Sequence, residues 1–139
     1  LSEDQVQWSD RFATGLDEID RQHKMLFRMS EDYRATLDEG RGERMYAMVL
    51  ESLTDYARAH FGIEERCMFQ YKCPAADINK EAHVHFVEML TGFRERYDAA
   101  GFSLSDAYQL VQHVDDWLTH HIGGIDAQLK PCVKKASTE

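Results

Sequence analysis

At 139 residues the chain is long enough for one domain with one core, which at this size buries roughly 70% of the surface its unfolded form exposes. A formal charge of −9, from 25 acidic and 16 basic residues, excludes nucleic acid as a partner, because no basic stripe remains to neutralise phosphates. The sequence contains no secretory leader and no apolar run of bilayer length, so direct membrane insertion is excluded and a cytoplasmic protein is expected.

Only two prolines interrupt the chain, and its long stretches rich in Leu, Met, Ala, Glu, Lys and Arg favour helix over sheet. Three cysteines, Cys67, Cys73 and Cys132, form no CxxC, and an odd number fits a reducing compartment better than a disulfide framework. The first residue is Leu1 rather than methionine, as in a domain cut from a longer protein, although processing gives the same start.

Residues 1–16, with Trp8 and Phe12, show no helical period and read as a loop packed across the rest. From about 17 to 38, Ile19, His23, Leu26/Phe27, Ser30, Tyr33 and Leu37 recur at three- and four-residue steps, one face of a helix. Asp17 or Asp20 is the expected cap, and Glu39-Gly40-Arg41-Gly42 ends the helix. A second stripe, about 43–71, carries Met45, Val49, Leu53, Tyr56, His60, Glu64 and Cys67. It stops before Cys73-Pro74, since a residue preceding proline disfavours helix. The third, about 76–99, carries Asn79, Ala82/His83, Phe86, Leu90, Phe93 and Tyr97, and ends at Ala100-Gly101. The fourth, about 104–129, opens on a capping box at Ser103-Leu104-Ser105-Asp106. It continues through Leu110, Val114, Trp117/Leu118 and His121, and Pro131 closes it. Four amphipathic helices with short connections predict an all-α, up-down-up-down four-helix bundle, a single domain over 1–139 with the N-terminal loop packed on it.

Each stripe carries polar residues where packing favours leucine. His60 and Glu64 are four apart and share a face, as do Asn79 and His83. Alone, an inward histidine is more often a satisfied core residue than a ligand, and His60/Glu64 reads as an ordinary i,i+4 pair. Together, His23, His60, Glu64, His83, His121 and Asp126 supply imidazoles and carboxylates from four helices, the mixture that a pair of metal ions needs. His121 and Asp126 are five apart, which separates them by about 140° on a regular helix. Gly123-Gly124 between them permits a π-type bulge that would bring both to one face. His85, His113 and His120 fall off the site face, and Cys67 reads as an inert buried thiol.

These segments resemble hemerythrin, in particular the bacterial hemerythrin-like domains. The resemblance runs from about residue 8 to 129 through Trp8, Gly15-Leu16-Asp17-Glu18-Ile19-Asp20-Arg21-Gln22-His23 and His60-Phe61-Gly62-Ile63-Glu64-Glu65. It continues through Tyr71-Lys72-Cys73-Pro74, His83-Val84-His85-Phe86 and Trp117-Leu118-Thr119-His120-His121-Ile122-Gly123-Gly124-Ile125-Asp126. The resemblance implies a non-haem di-iron centre: two Fe ions with an oxo or hydroxo bridge, Glu64 and Asp126 bridging as well. By the same resemblance His23 and His60 complete the iron that keeps an open position, where O2 binds reversibly. His83, His121 and residue 79 would cap the other iron, and Leu26, Phe61, Trp117, Leu118 and Ile122 would form the apolar ligand pocket. NO, azide or peroxide are further ligands of such a site.

Family members of this kind are fused to bacterial signalling proteins, including chemotaxis receptors, so the resemblance implies an O2- or redox-sensing module rather than an enzyme. Asn79 departs from the pattern, which has histidine there. Three outcomes stand: Asn79 coordinates through its oxygen, water replaces it, or that iron is partly lost. A position vacated in this way suggests the alternative reading, a di-iron peroxidase or oxidase.

Overall fold

Helix boundaries follow local chemistry in this computed structural model, which describes residues 7–138 and the side chains of residues 7–134. Residues 1–6 of the expected N-terminal loop lie outside the described residues. The remainder is a loop with one 3-10 turn, Asp10–Phe12. Phe12 is buried, 4.8 Å from the ring of Phe27, and Trp8 packs edge-on to Phe27 at 5.8 Å.

Helix α1 spans Asp17–Asp38, with Leu16 as its N-cap, so neither Asp17 nor Asp20 caps it. Asp20 sits a turn inside and folds back instead: its Oδ1 accepts from the backbone N–H and the hydroxyl of Thr14, both at 2.8 Å. It thereby fixes the loop that enters the helix. Its charge, with those of Asp17 and Glu18, still suits the positive end of the helix dipole. After a 3-10 turn at Gly42–Met45, helix α2 runs Tyr46–Gln70. A tight turn through Lys72, in the left-handed region at φ 52°, leads to α3, Ala76–Ala100. Gly101, at φ 79°, terminates α3 in a conformation that glycine adopts without a Cβ clash.

Helix α4 begins as expected, with the Ser103 hydroxyl accepting from the N–H of Asp106, and covers Leu104–Asp116. The rod then changes pitch: Trp117–Ile125 is π-helical and Asp126–Gln128 is a 3-10 turn. The bulge expected from the His121/Asp126 spacing is therefore present, and it extends beyond the pair. Pro131 does not close the rod. A last helix, α5, runs Leu129–Thr138 straight through it. Proline is third in α5, inside the first turn, where its missing N–H removes no hydrogen bond.

Four rods pack their apolar stripes into one main core that includes Leu26, Tyr33, Leu53, Phe86, Leu110 and Leu118. A smaller core at the α5 end gathers Ile19, Met68, Cys73, Ala75 and Leu129. There Cys73 and Cys132 form a disulfide, their Cα atoms 5.7 Å apart. A disulfide thus stands where the odd cysteine count favoured a reducing compartment over a disulfide framework. The cause is the continuation of the last rod past Pro131, which carries Cys132 back beside the α2–α3 turn. Cys67 alone is free; it is half-buried, and burial and the charge of Glu64 push its thiol pKa up.

Candidate metal centre

Towards the end of the bundle that carries the α2–α3 turn, the polar residues of the stripes meet. Helix α1 contributes His23, α2 contributes His60 and Glu64, α3 contributes Asn79 and His83, and the π segment with its 3-10 turn contributes His121 and Asp126. All seven are buried, the most exposed being His121 at 4%. Their donor atoms form two groups. His23, His60 and Glu64 make one, and Glu64, His83, His121 and Asp126 make the other. Within each group every residue offers a ligand atom within 4.8 Å of all the others.

Glu64 belongs to both. Its Oε2 is 2.9 Å from His60 Nε2 and 3.2 Å from His23 Nε2, while its Oε1 is 2.9 Å from His83 Nε2. Asp126 makes the second link: Oδ2 is 3.4 Å from His23 Nε2, and Oδ1 is 3.1 Å from His121 Nε2. Five residues separate His121 from Asp126, and the widened turn is what aims both inward.

Hydrogen bonding among these groups is incomplete. His23 Nε2 lies 2.9 Å from His60 Nε2, two atoms that compete for one proton. His121 Nε2, both oxygens of Asp126 and both amide atoms of Asn79 are buried without a hydrogen-bond partner. Orphaned buried polar atoms each cost about 1–3 kcal/mol. A cation satisfies carboxylate oxygen, imidazole nitrogen and amide oxygen together, so this donor set fits a bound metal pair.

Electrostatics agree. Burial disfavours a charged His23, but the oxygens of Asp126 and Glu64 outweigh it and hold the imidazolium up to about pKa 9. Burial likewise opposes charge on Glu64, yet bonds to His23, His60 and His83 keep its carboxyl well below the usual range. Asp126 goes the other way, raised by burial and then by the charge of Glu64. Two carboxylates this close cannot both ionise comfortably without positive charge between them.

The outer faces of the imidazoles are held by Gln22 and Glu65, which periodicity did not single out, and by Tyr56 of the second stripe. Gln22 Oε1 contacts His60 Nδ1, and Glu65 Oε2 lies 2.9 Å from His83 Nδ1. The Tyr56 ring stacks on His60 at 5.1 Å and its hydroxyl accepts from Trp117 Nε1 at 3.4 Å. Leu26, Phe61, Leu118 and Ile122 are buried and Trp117 is half-buried. Phe61 lies face-on to His83 at 3.8 Å and Trp117 face-on to His121 at 3.7 Å. Those two rings therefore lie against the imidazoles of the second donor group. His85, His113 and His120 are exposed, away from the cluster.

Comparison with known proteins agrees with this arrangement. The family described as hemerythrin HHE cation binding domain matches residues 14–133. A bacteriohemerythrin of Pseudomonas aeruginosa is 30% identical over 95% of this chain and 84% of its own length. A bacteriohemerythrin of Stenotrophomonas maltophilia is 28% identical over 91% and 80%, respectively. A myohemerythrin of Theromyzon tessulatum is 26% identical over 89% and 90%.

Proposed function

The chain belongs to the hemerythrin family, whose members hold a di-iron centre and carry O2 rather than turn over a substrate, and from that premise we propose the following division of labour at the site. His23 and His60 hold the iron that keeps an open position, His83, His121 and Asn79 hold the other, and Glu64 and Asp126 bridge. The membership of Glu64 in both donor groups carries this reading.

When bound, the two ferrous ions supply the electrons with which O2 is held reversibly. Everything else is work for this chain's side chains. Gln22, by accepting at His60 Nδ1, leaves Nε2 as the inward lone pair. Leu26, Leu118 and Ile122, each no more than 1% exposed, keep water and proton donors from the open position. That exclusion slows irreversible oxidation and favours binding over oxygenation. NO, azide and peroxide are further small ligands for the same position.

We further propose that the domain senses O2 or redox state for a larger signalling protein, as its cytoplasmic part. Among the described residues, no helix is long and apolar enough to cross a membrane. A mechanical route supports the sensing role. Gly123, between His121 and Asp126, faces Phe12 so closely that a Cβ there would lie 2.9 Å from its ring. Any change of pitch in the π segment therefore reaches Phe12, and through it Trp8 and the N-terminal loop.

Iron analysis with optical spectra before and after oxygen exposure tests the site. Two irons per chain and an absorption change reversed by removing oxygen are expected. Fewer irons, or an irreversible change, would contradict the assignment. Protease cleavage of the N-terminal loop should differ between oxygenated and deoxygenated protein; identical digestion counts against the sensing role.

A further inference from the structure

We propose that Glu65 compensates for asparagine at position 79, strengthening His83 as a donor so that the second iron is retained with one imidazole fewer. The inference rests on the ligand assignment above.

Adjacent residues on a helix point about 100° apart. Glu64 thus faces inward and Glu65 reaches along the rim of α2 towards α3, its side chain 29% exposed. Its Oε2 accepts from His83 Nδ1 at 2.9 Å, which directs His83 Nε2 into the site, 2.9 Å from Glu64. The parallel ring of Phe61 fixes the imidazole plane. An N–H held by a carboxylate leaves more electron density on the ring, and the inner nitrogen becomes the better donor.

The four imidazoles differ in this respect. His60 has only the neutral amide of Gln22 on its outer nitrogen. The outer nitrogens of His23 and His121 have no hydrogen-bond partner among the described residues. The anionic support therefore falls on the donor group that includes Asn79, where an amide oxygen, a weaker donor to divalent iron than imidazole, replaces a third ring. Its negative charge also favours cation occupancy on that side.

Ferrous iron titrated against a competing chelator, in wild-type protein and in E65Q, N79H and the double variant, tests the coupling. E65Q keeps the size of the side chain, and thermal melts of each metal-free protein report whether folding is intact. The tighter iron should be unaffected by E65Q, while affinity for the weaker one falls about 10–100-fold. In the N79H background the same substitution should cost a much smaller factor. The reduction potential should rise in E65Q, since loss of an anionic partner favours the ferrous state; a purely structural role would leave it unchanged. Equal losses in both backgrounds, or no loss at all, overturn the proposal. If H83A leaves the titration unaltered, the ligand assignment itself fails, which is separable from a failure of Glu65 alone.

Discussion

Asn79 is buried with neither its amide oxygen nor its nitrogen bonded to protein, and it stands one turn before His83 on α3. An asparagine kept there by packing alone carries that cost with no return. Iron ligation by the oxygen, or a water held between the amide and the metal, removes it. N79H should slow the loss of one iron per chain during dialysis against chelator, measured by metal analysis, and leave the other unaffected. Equal loss rates in the two proteins would mean that position 79 does not reach the metal. Six of the seven candidate ligands were legible because each breaks an apolar stripe, and Asp126 was legible through the glycine pair that permits a widened turn and through the resemblance. Gln22 and Glu65 were not: they occupy half-exposed positions where polar residues are ordinary, and their roles, like the stacking of the stripe residue Tyr56 on His60, depend on how side chains meet in space.

At the scale of elements, the last rod decides the geometry. The i,i+5 spacing of His121 and Asp126 announced a widened turn, and the π segment over Trp117–Ile125 places both side chains inward. Proline misled at the other end. Pro131 is the third residue of a new helix, within the first turn where proline is tolerated, so the rod continues to Thr138. The two glycines of the π segment are unequal. A Cβ at Gly123 would meet Phe12 Cε1 at 2.9 Å, whereas one at Gly124 would meet nothing within 4 Å. G123A should therefore destabilise by about 1–3 kcal/mol, as overpacking does. G124A should be neutral or stabilise by up to about 1 kcal/mol, since glycine is a poor helix residue. Urea unfolding of both variants checks this, and equal midpoints would show that Phe12 does not press on the segment.

Between elements, the Cys73–Cys132 disulfide ties α5 to the α2–α3 turn across 59 residues of chain. No spacing rule predicts that bond, because it depends on where α5 ends up. Closing so long a loop restricts the unfolded state, and C132S should lose up to about 4 kcal/mol on chain-entropy grounds. Iron content should be unchanged, since the bond lies in the smaller core and not among the donor atoms. Denaturant titration with metal analysis separates the two effects; loss of iron in C132S would mean that α5 positions Asp126.

For the whole molecule, the polar load of the interior is concentrated in one layer. Among the described residues ten polar or charged side chains are buried, and seven of them are His23, His60, Glu64, Asn79, His83, His121 and Asp126. Those seven come from all four rods, so the layer joins the bundle when it is filled and opposes packing when it is not. Carboxylates and an imidazolium with incomplete hydrogen bonds are costly inside a protein. A ligand bound only by the folded state stabilises it by about 2.7 kcal/mol at one hundred times its Kd. Removing iron with a chelator should therefore lower the urea midpoint substantially. Amide exchange should accelerate first over residues 117–128, where backbone pitch is irregular and two donors lose their cation. Helix α1 has a regular pitch and a buried stripe that is apolar except for His23 and Ser30, and should retain its protection longer. An unchanged midpoint, with exchange alike along the rods, would mean that metal contributes nothing to holding these four helices together.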